Sequence, residues 1–188
     1  MSHDSSSSEV SISLQGQLLL ADPSLREGIF HRSVILLANH ATEKGALGLI
    51  LNRPTDKSVG DFLNGEDFDL LRQLVVYEGG PVAHDQLTFA AFWWSPKKGL
   101  RWALQISVAE ALAQVRRPGR VVRAFIGCSG WTAGQLESEL CRLTWVPARP
   151  GPDLLGRKHE SRLWFDLMRS LSPLHRILAE APPNPCLN

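Results

Sequence analysis

Two apolar runs constrain this chain more than any other feature. Ser33 to Ala38 and Ala46 to Leu51 are nearly continuous in hydrophobic residues, and the polar link Ala41-Thr42-Glu43-Lys44-Gly45 lies between them. Such runs are expected of strands covered on both faces. A link this short holds no helix, so the two strands are predicted to pair as an antiparallel hairpin. Further strand candidates occur at Gln17 to Ala21, Leu74 to Tyr77, Leu87 to Trp94, Trp102 to Ile106 and Val121 to Gly127. Gly79-Gly80-Pro81 reads as a sharp turn, and Pro54 is expected to end the strand that begins at Ala46.

Helix signals are interspersed among these strands. Ser107-Val108-Ala109-Glu110 and Thr132-Ala133-Gly134-Gln135 both fit a capping box, in which cap hydroxyl and third side chain each satisfy an orphan amide. The first of these helices is predicted to end near Arg117, before Pro118-Gly119. Ser58 is placed to cap a short helix through Asn64. A last helix over 160–171 would carry Leu163, Trp164, Leu167, Met168 and Leu171 on one face. Strands and helices mix without regular βαβ alternation, which predicts an α+β fold. With 188 residues there is material for one domain. The predicted organisation is a polar, disordered tail at 1–10, a single domain at 11–181 and a frayed, proline-rich end at 182–188.

Bulk charge gives no lead. A formal net charge of +1 supplies no global reason to expect nucleic acid, a membrane or an acidic partner. Cys128, Cys141 and Cys186 are odd in number and share no CxxC spacing, so reduced thiols in a cytoplasmic protein are the simplest reading. The serine-rich start has no signal-peptide pattern, and no apolar run approaches the roughly 20 residues of a membrane helix.

Few motifs carry chemistry. Gly127-Cys128-Ser129-Gly130-Trp131 lies at a strand-to-helix junction, but a hydrolase elbow would need glycine where Trp131 stands. Cys128 would be reactive only if exposed and acidified, and a small buried apolar role is the commoner one. No histidine pair has helical zinc spacing, so neither metal nor cofactor is expected. Lys97, Lys98, Arg101, Arg116, Arg117, Arg120 and Arg123 form a basic stretch beside Trp93, Trp94 and Trp102. Basic residues with aromatics can bind single-stranded nucleic acid. That requires the charges on one face, which sequence proximity does not supply. A solvated face with core or interface tryptophans is the favoured expectation.

Taken in order, several blocks resemble the YqgE/AlgH family of bacterial proteins. They are Gly16-Gln17-Leu18-Leu19-Leu20-Ala21-Asp22-Pro23, then Phe30-His31-Arg32-Ser33-Val34-Ile35 with His40, then Gly45 to Pro54, Gly79-Gly80-Pro81-Val82, and Gly127 to Trp131 followed by Gly134-Gln135-Leu136-Glu137. The resemblance covers about residues 14 to 170. It implies an α+β domain in which a bifurcated, mostly antiparallel sheet forms a pseudo-barrel with helices packed outside. It implies no established reaction. Some members are labelled transcriptional regulators of alginate synthesis, but this chain carries no recognisable DNA-binding motif.

The polar residues of these blocks are the binding candidates. Arg32, His40, Asn52, Arg53, Ser129, Trp131 and Gln135 fall at the ends of apolar strands. If those ends converge, they would line a donor-rich pocket for an anionic ligand. Otherwise they satisfy buried carbonyls and carboxylates that hold the sheet together. The leading expectation is a non-catalytic binding or regulatory protein, with self-association through the tryptophan-rich strands as a possibility. The alternatives are an enzyme acting on a small anion at an Arg53/Ser129 pocket, and a nucleic-acid binder using residues 97–123.

Overall fold

The structure, a computed structural model, describes residues 13–65, 68–156 and 160–181. The expectations for the two tails, 1–10 and 182–188, fall outside these residues. Among the described residues, nine strands and five α-helices follow one another in mixed order. The strands are β1 (Leu18–Ala21), β2 (Val34–Ala41), β3 (Gly45–Ile50), β4 (Pro54–Ser58), β5 (Val75–Glu78), β6 (Val82–Ser95), β7 (Gly99–Ile106), β8 (Arg120–Trp131) and β9 (Trp145–Ala148). The helices are α1 (Asp69–Arg72), α2 (Val108–Val115), α3 (Gln135–Cys141), α4 (Glu160–Leu171) and α5 (Pro173–Glu180).

All nine strands belong to one sheet that forks at β8. Its main path runs β4-β5-β8-β3-β2-β1-β9, while β6 also pairs with β8 and carries β7 at its far side. Early in β8, Ala124 faces Val76 of β5 in parallel and Phe89 of β6 in antiparallel register. Late in β8, Ser129 and Trp131 face Gly48 and Ala46 of β3. The pairing β2–β3 is the predicted hairpin, with a bulge between Leu37 and Asn39. The result is the α+β architecture expected, a curled sheet with helices on its outer faces.

Alternation along the inner strands explains why their sequences are apolar throughout. Leu18, Leu20 and Leu36 enter one core with Phe92, Phe125 and Trp164, which α4 covers. Leu19, Ile35 and Leu37 point the other way, to a second core with Trp131, Leu136 and Trp145 under α3. Successive side chains of a strand lie on opposite faces, so a two-sided strand has no polar phase. A third core joins Val76, Phe89, Ala91, Val122 and Ala124 to Ala111 of α2.

Local signals succeed or fail for identifiable reasons. At α2 the Ser107 hydroxyl accepts from the Glu110 amide (3.2 Å) and Glu110 accepts from the Ser107 amide (2.8 Å), completing the predicted box. At α3 the Gln135 side chain does reach back to the Thr132 amide (3.0 Å), but the cap position belongs to Gly134 in a left-handed conformation. The helix expected after Ser58 is a single 3-10 turn, Val59–Asp61. Pro54 does not merely end a strand; it opens β4, whose only partner is β5. An edge strand tolerates the missing amide.

The fork itself is built on glycine. The Gly79 amide donates to Ile126 (2.8 Å), and its carbonyl accepts from the Ile50 amide (3.1 Å). A Cβ on Gly79 would overlap the Gly127 carbonyl oxygen, and one on Gly80 would overlap the Cys128 carbonyl. Gly127 also has φ +68°, a conformation that side chains disfavour. Gly79→Ala is therefore expected to destabilise the protein by about 3 kcal/mol or more. Gly134→Ala, where nothing lies within 4 Å of the added atom, should cost only about 1 kcal/mol for its left-handed backbone. Urea denaturation of both variants checks the contrast, and equal losses would contradict it.

Candidate functional site

The seven candidate residues separate into three places along the sheet. Arg32, Asn52 and Arg53 gather where β2 begins, and His40 sits where it ends. At about 3.3 Å per residue, the span from Arg32 to His40 is roughly 25 Å. Trp131 and Gln135 lie with His40 around α3, and Ser129 lies in the interior. They do not line one pocket.

At the β2 start, Asn52 continues the hairpin ladder with its side chain. Its Oδ1 accepts from the Val34 amide (2.8 Å) and its Nδ2 donates to the Arg32 carbonyl (2.9 Å). Arg53 Nη2 donates to the His31 carbonyl. Half-buried and without a carboxylate partner among the described residues, Arg53 has its pKa lowered by desolvation. Arg32 holds a positive φ of 53° and lays its guanidinium 4.5 Å from the Phe165 ring centroid and 5.7 Å from that of Trp164. A stacked guanidinium keeps its in-plane donors available. Beside it lies a cleft of about 260 Å³ lined by residues that include Asp22, Arg26, His31, Arg32, Trp164 and Leu178.

At the other end, each polar side chain already has its partner. His40, 7% exposed, accepts the Leu14 amide at Nδ1 (3.1 Å). The neutral ring therefore carries its proton on Nε2, 2.9 Å from Glu137 Oε1. Burial raises the Glu137 pKa, but its own amide and the hydrogen bonds of the His40 and Thr42 side chains together lower it further than that. Glu139 Oε2 accepts both the Trp131 indole (2.8 Å) and the Trp145 indole (2.7 Å), while Gln135 donates to Oε1 (2.9 Å). The two indoles meet edge to face, with centroids 6.0 Å apart. Glu139 was not among the candidate residues; Trp131, eight residues before it, and Trp145, six after it, were the signal that could have found it.

Ser129 is sealed, at 0% exposure, and donates to the Gly79 carbonyl (3.1 Å) across the fork. Its neighbour Cys128 has its thiol pKa raised by burial and lines a space of only about 40 Å³. Among the described residues no group of His, Cys, Asp and Glu could hold a metal ion. No helix among them is long and apolar enough to cross a membrane.

Two outcomes follow from the α3 cluster. Glu139→Ala leaves two largely buried indole donors without an acceptor and should cost about 2–4 kcal/mol, whereas Glu139→Gln keeps an acceptor and should cost less than half of that. Thermal denaturation followed by tryptophan fluorescence distinguishes them, and equal losses would assign the carboxylate no role as acceptor. Because the folded pKa of Glu137 is depressed, its stabilisation is present above the unfolded value and is lost as pH falls through the folded one. The stability gap between the wild type and Glu137→Gln should thus close as pH drops below 4.5, the ordinary glutamate value. A gap that persists unchanged to acid would refute the assignment.

Comparison with known proteins agrees with this architecture. A family model described as AlgH-like matches residues 18–175. A UPF0301 protein of Streptomyces coelicolor is 36% identical over 188 aligned residues, covering 94% of this chain and 96% of the relative. A UPF0301 protein of Bacteroides thetaiotaomicron is 29% identical, covering 93% and 91%. Among solved structures, a Corynebacterium diphtheriae protein superposes with a TM-score of 0.71 at 21% identity, covering 90% of this chain and 93% of its own. The solution structure of the AlgH protein from Pseudomonas aeruginosa gives 0.63 at 26% identity, covering 97% and 99%. With an AlgH-like family model matching residues 18–175 and a relative 36% identical over 94% of its length, the chain belongs to the YqgE/AlgH family.

Proposed function

We propose that this protein is a non-catalytic binding protein of the cytosol that takes a small anionic ligand in the cleft beside Arg32. The observation that carries this reading is a pair of arginines, Arg26 and Arg32, in one concavity with the apolar side chains of Trp164 and Leu178. Among the described residues neither arginine forms an ion pair. Asp22, also in the cleft, accepts the Ser24 amide (2.8 Å). Unpaired guanidinium groups in a concave site favour a carboxylate or phosphate. At about 260 Å³ the cleft falls just below the range of roughly 300–1,000 Å³ usual for ligand pockets, so the ligand is small.

Catalysis is disfavoured by where the reactive groups sit. The Ser129 hydroxyl is enclosed and bonded to a carbonyl, and the Cys128 thiol is held protonated by burial. Cys128 and Cys141 are free thiols, in keeping with a reducing compartment.

Titration of isotopically labelled protein with pyrophosphate and with citrate tests the cleft. Amide shifts should concentrate at residues 22–32 and 178–181. Arg26 is exposed, so Arg26→Ala should weaken binding roughly tenfold while leaving the melting temperature unchanged. Scattered shifts, or affinity indifferent to Arg26→Ala, would remove the cleft from consideration. Turnover of a small-molecule substrate that is lost in Ser129→Ala would overturn the non-catalytic reading.

A further inference from the structure

Strands β6, β7 and β8 set three side chains in one row. Trp93 lies directly opposite Arg101 on β7 and Arg120 on β8. Cross-strand partners project from the same face. Alternation fixes which face: Ala91 and Val122, two residues along from Trp93 and Arg120, lie in the core under α2. Helix α2 ends at Val115, and Arg116 and Arg117 follow it into the turn that enters β8 at Arg120. The hairpin turn carrying Lys97 and Lys98 closes β6 and β7 at the same end. Both turns, and so all four of their cations, lie beyond the same end of the row's strands. Arg123, one step out of phase, turns to the opposite face and donates to the Leu51 carbonyl (2.9 Å).

Six cations thus gather at this end of the sheet, and among the described residues none of them forms an ion pair. Lys97, Lys98, Arg101, Arg116 and Arg117 are exposed, while Arg120 and Trp93 are half-buried. The Arg120 guanidinium lies 3.7 Å from the Trp93 ring centroid. Stacking fixes its plane without occupying its N–H donors, which leaves them aligned for an oxyanion. Strands about 4.8 Å apart put Arg101 and Arg120 some 10 Å from each other.

We propose that this face binds single-stranded nucleic acid, with Arg101, Arg120 and the flanking cations on phosphates and the Trp93–Arg120 stack as a platform for a base. A run of cations interrupted by a single acid, Glu110, favours a polyanion, and an aromatic ring beside it favours one that has planar groups to stack. An open sheet surface offers no projecting element to enter a duplex groove, whereas unpaired bases reach it directly. The face shares no residue with the Arg32 cleft, so the two proposals stand or fall separately.

The test is fluorescence anisotropy of the full chain with a labelled oligothymidylate of about twelve nucleotides at about 50 mM salt. Binding should fall with a log–log salt slope of about −2 to −3, as expected for three or four phosphate contacts to a single strand. Trp93→Ala should weaken it roughly tenfold or more. Arg116→Glu/Arg117→Glu, in an exposed turn, should weaken it comparably and flatten the slope, while Arg142→Ala on α3 should leave it unchanged. Absence of binding, or binding insensitive to both the Trp93 and the Arg116/Arg117 variants, would overturn the proposal. So would equal competition by duplex DNA or by polyglutamate, which would mark the face as a duplex or acidic-peptide site instead.

Discussion

The close passage of Gly79-Gly80 across Gly127-Cys128 is the contact on which the rest of this structure depends. Two backbones meet there with no room for a Cβ on either Gly79 or Gly80. The approach lets one strand, β8, serve β5 and β6 over its first half and β3 over its second. Ser129 locks the crossing with a hydroxyl bond to the Gly79 carbonyl. Two of the blocks that carry the family resemblance, Gly79 to Val82 and Gly127 to Trp131, build this junction. A Gly-x-Ser pattern that superficially suggests a nucleophile is explained by packing and backbone satisfaction.

The same economy runs through the other shared polar residues. Asn52 imitates a strand where β3 has ended, Arg53 caps the His31 carbonyl, and Glu139 joins two indoles that would otherwise be buried with unmet donors. A buried donor without an acceptor costs more than a made bond gains. Among the described residues, Arg26 and Arg32 in the cleft and the cations around Trp93 form no ion pair. The functional proposals rest on these residues.

Much of the fold was legible because it follows from short-range rules. Continuous apolar runs announced two-sided strands, a five-residue link announced the β2–β3 hairpin, and the Ser107–Glu110 box fixed the start of α2. The misses have physical causes. β9 contains Pro147 and only four residues, too little pattern to register as a strand. α5 begins with Ser172 accepting the His175 amide and Pro173 at its first turn, a start signal masked by the nearby proline-rich end, and it exposes Leu174 and Ile177. The candidate site was less legible still. Strand-end polar residues are equally compatible with a pocket and with backbone satisfaction, and only long-range pairing decides between them. For the basic stretch, local sequence does not hold the strand register that places Arg101 and Arg120 on either side of Trp93.

The position of β8 also orders events in time. Its partners β3, β5 and β6 all precede it in the chain, and β3 lies more than 70 residues upstream. Before Arg120 is synthesised, the chain can form hairpins such as β2–β3 and β6–β7, but the strand that pairs with β3, β5 and β6 alike is missing. Until then, hydrophobic faces of these hairpins stay uncovered, and contacts so distant in sequence are slow to close. Arrival of one twelve-residue segment therefore turns separate hairpins into a sheet with an interior.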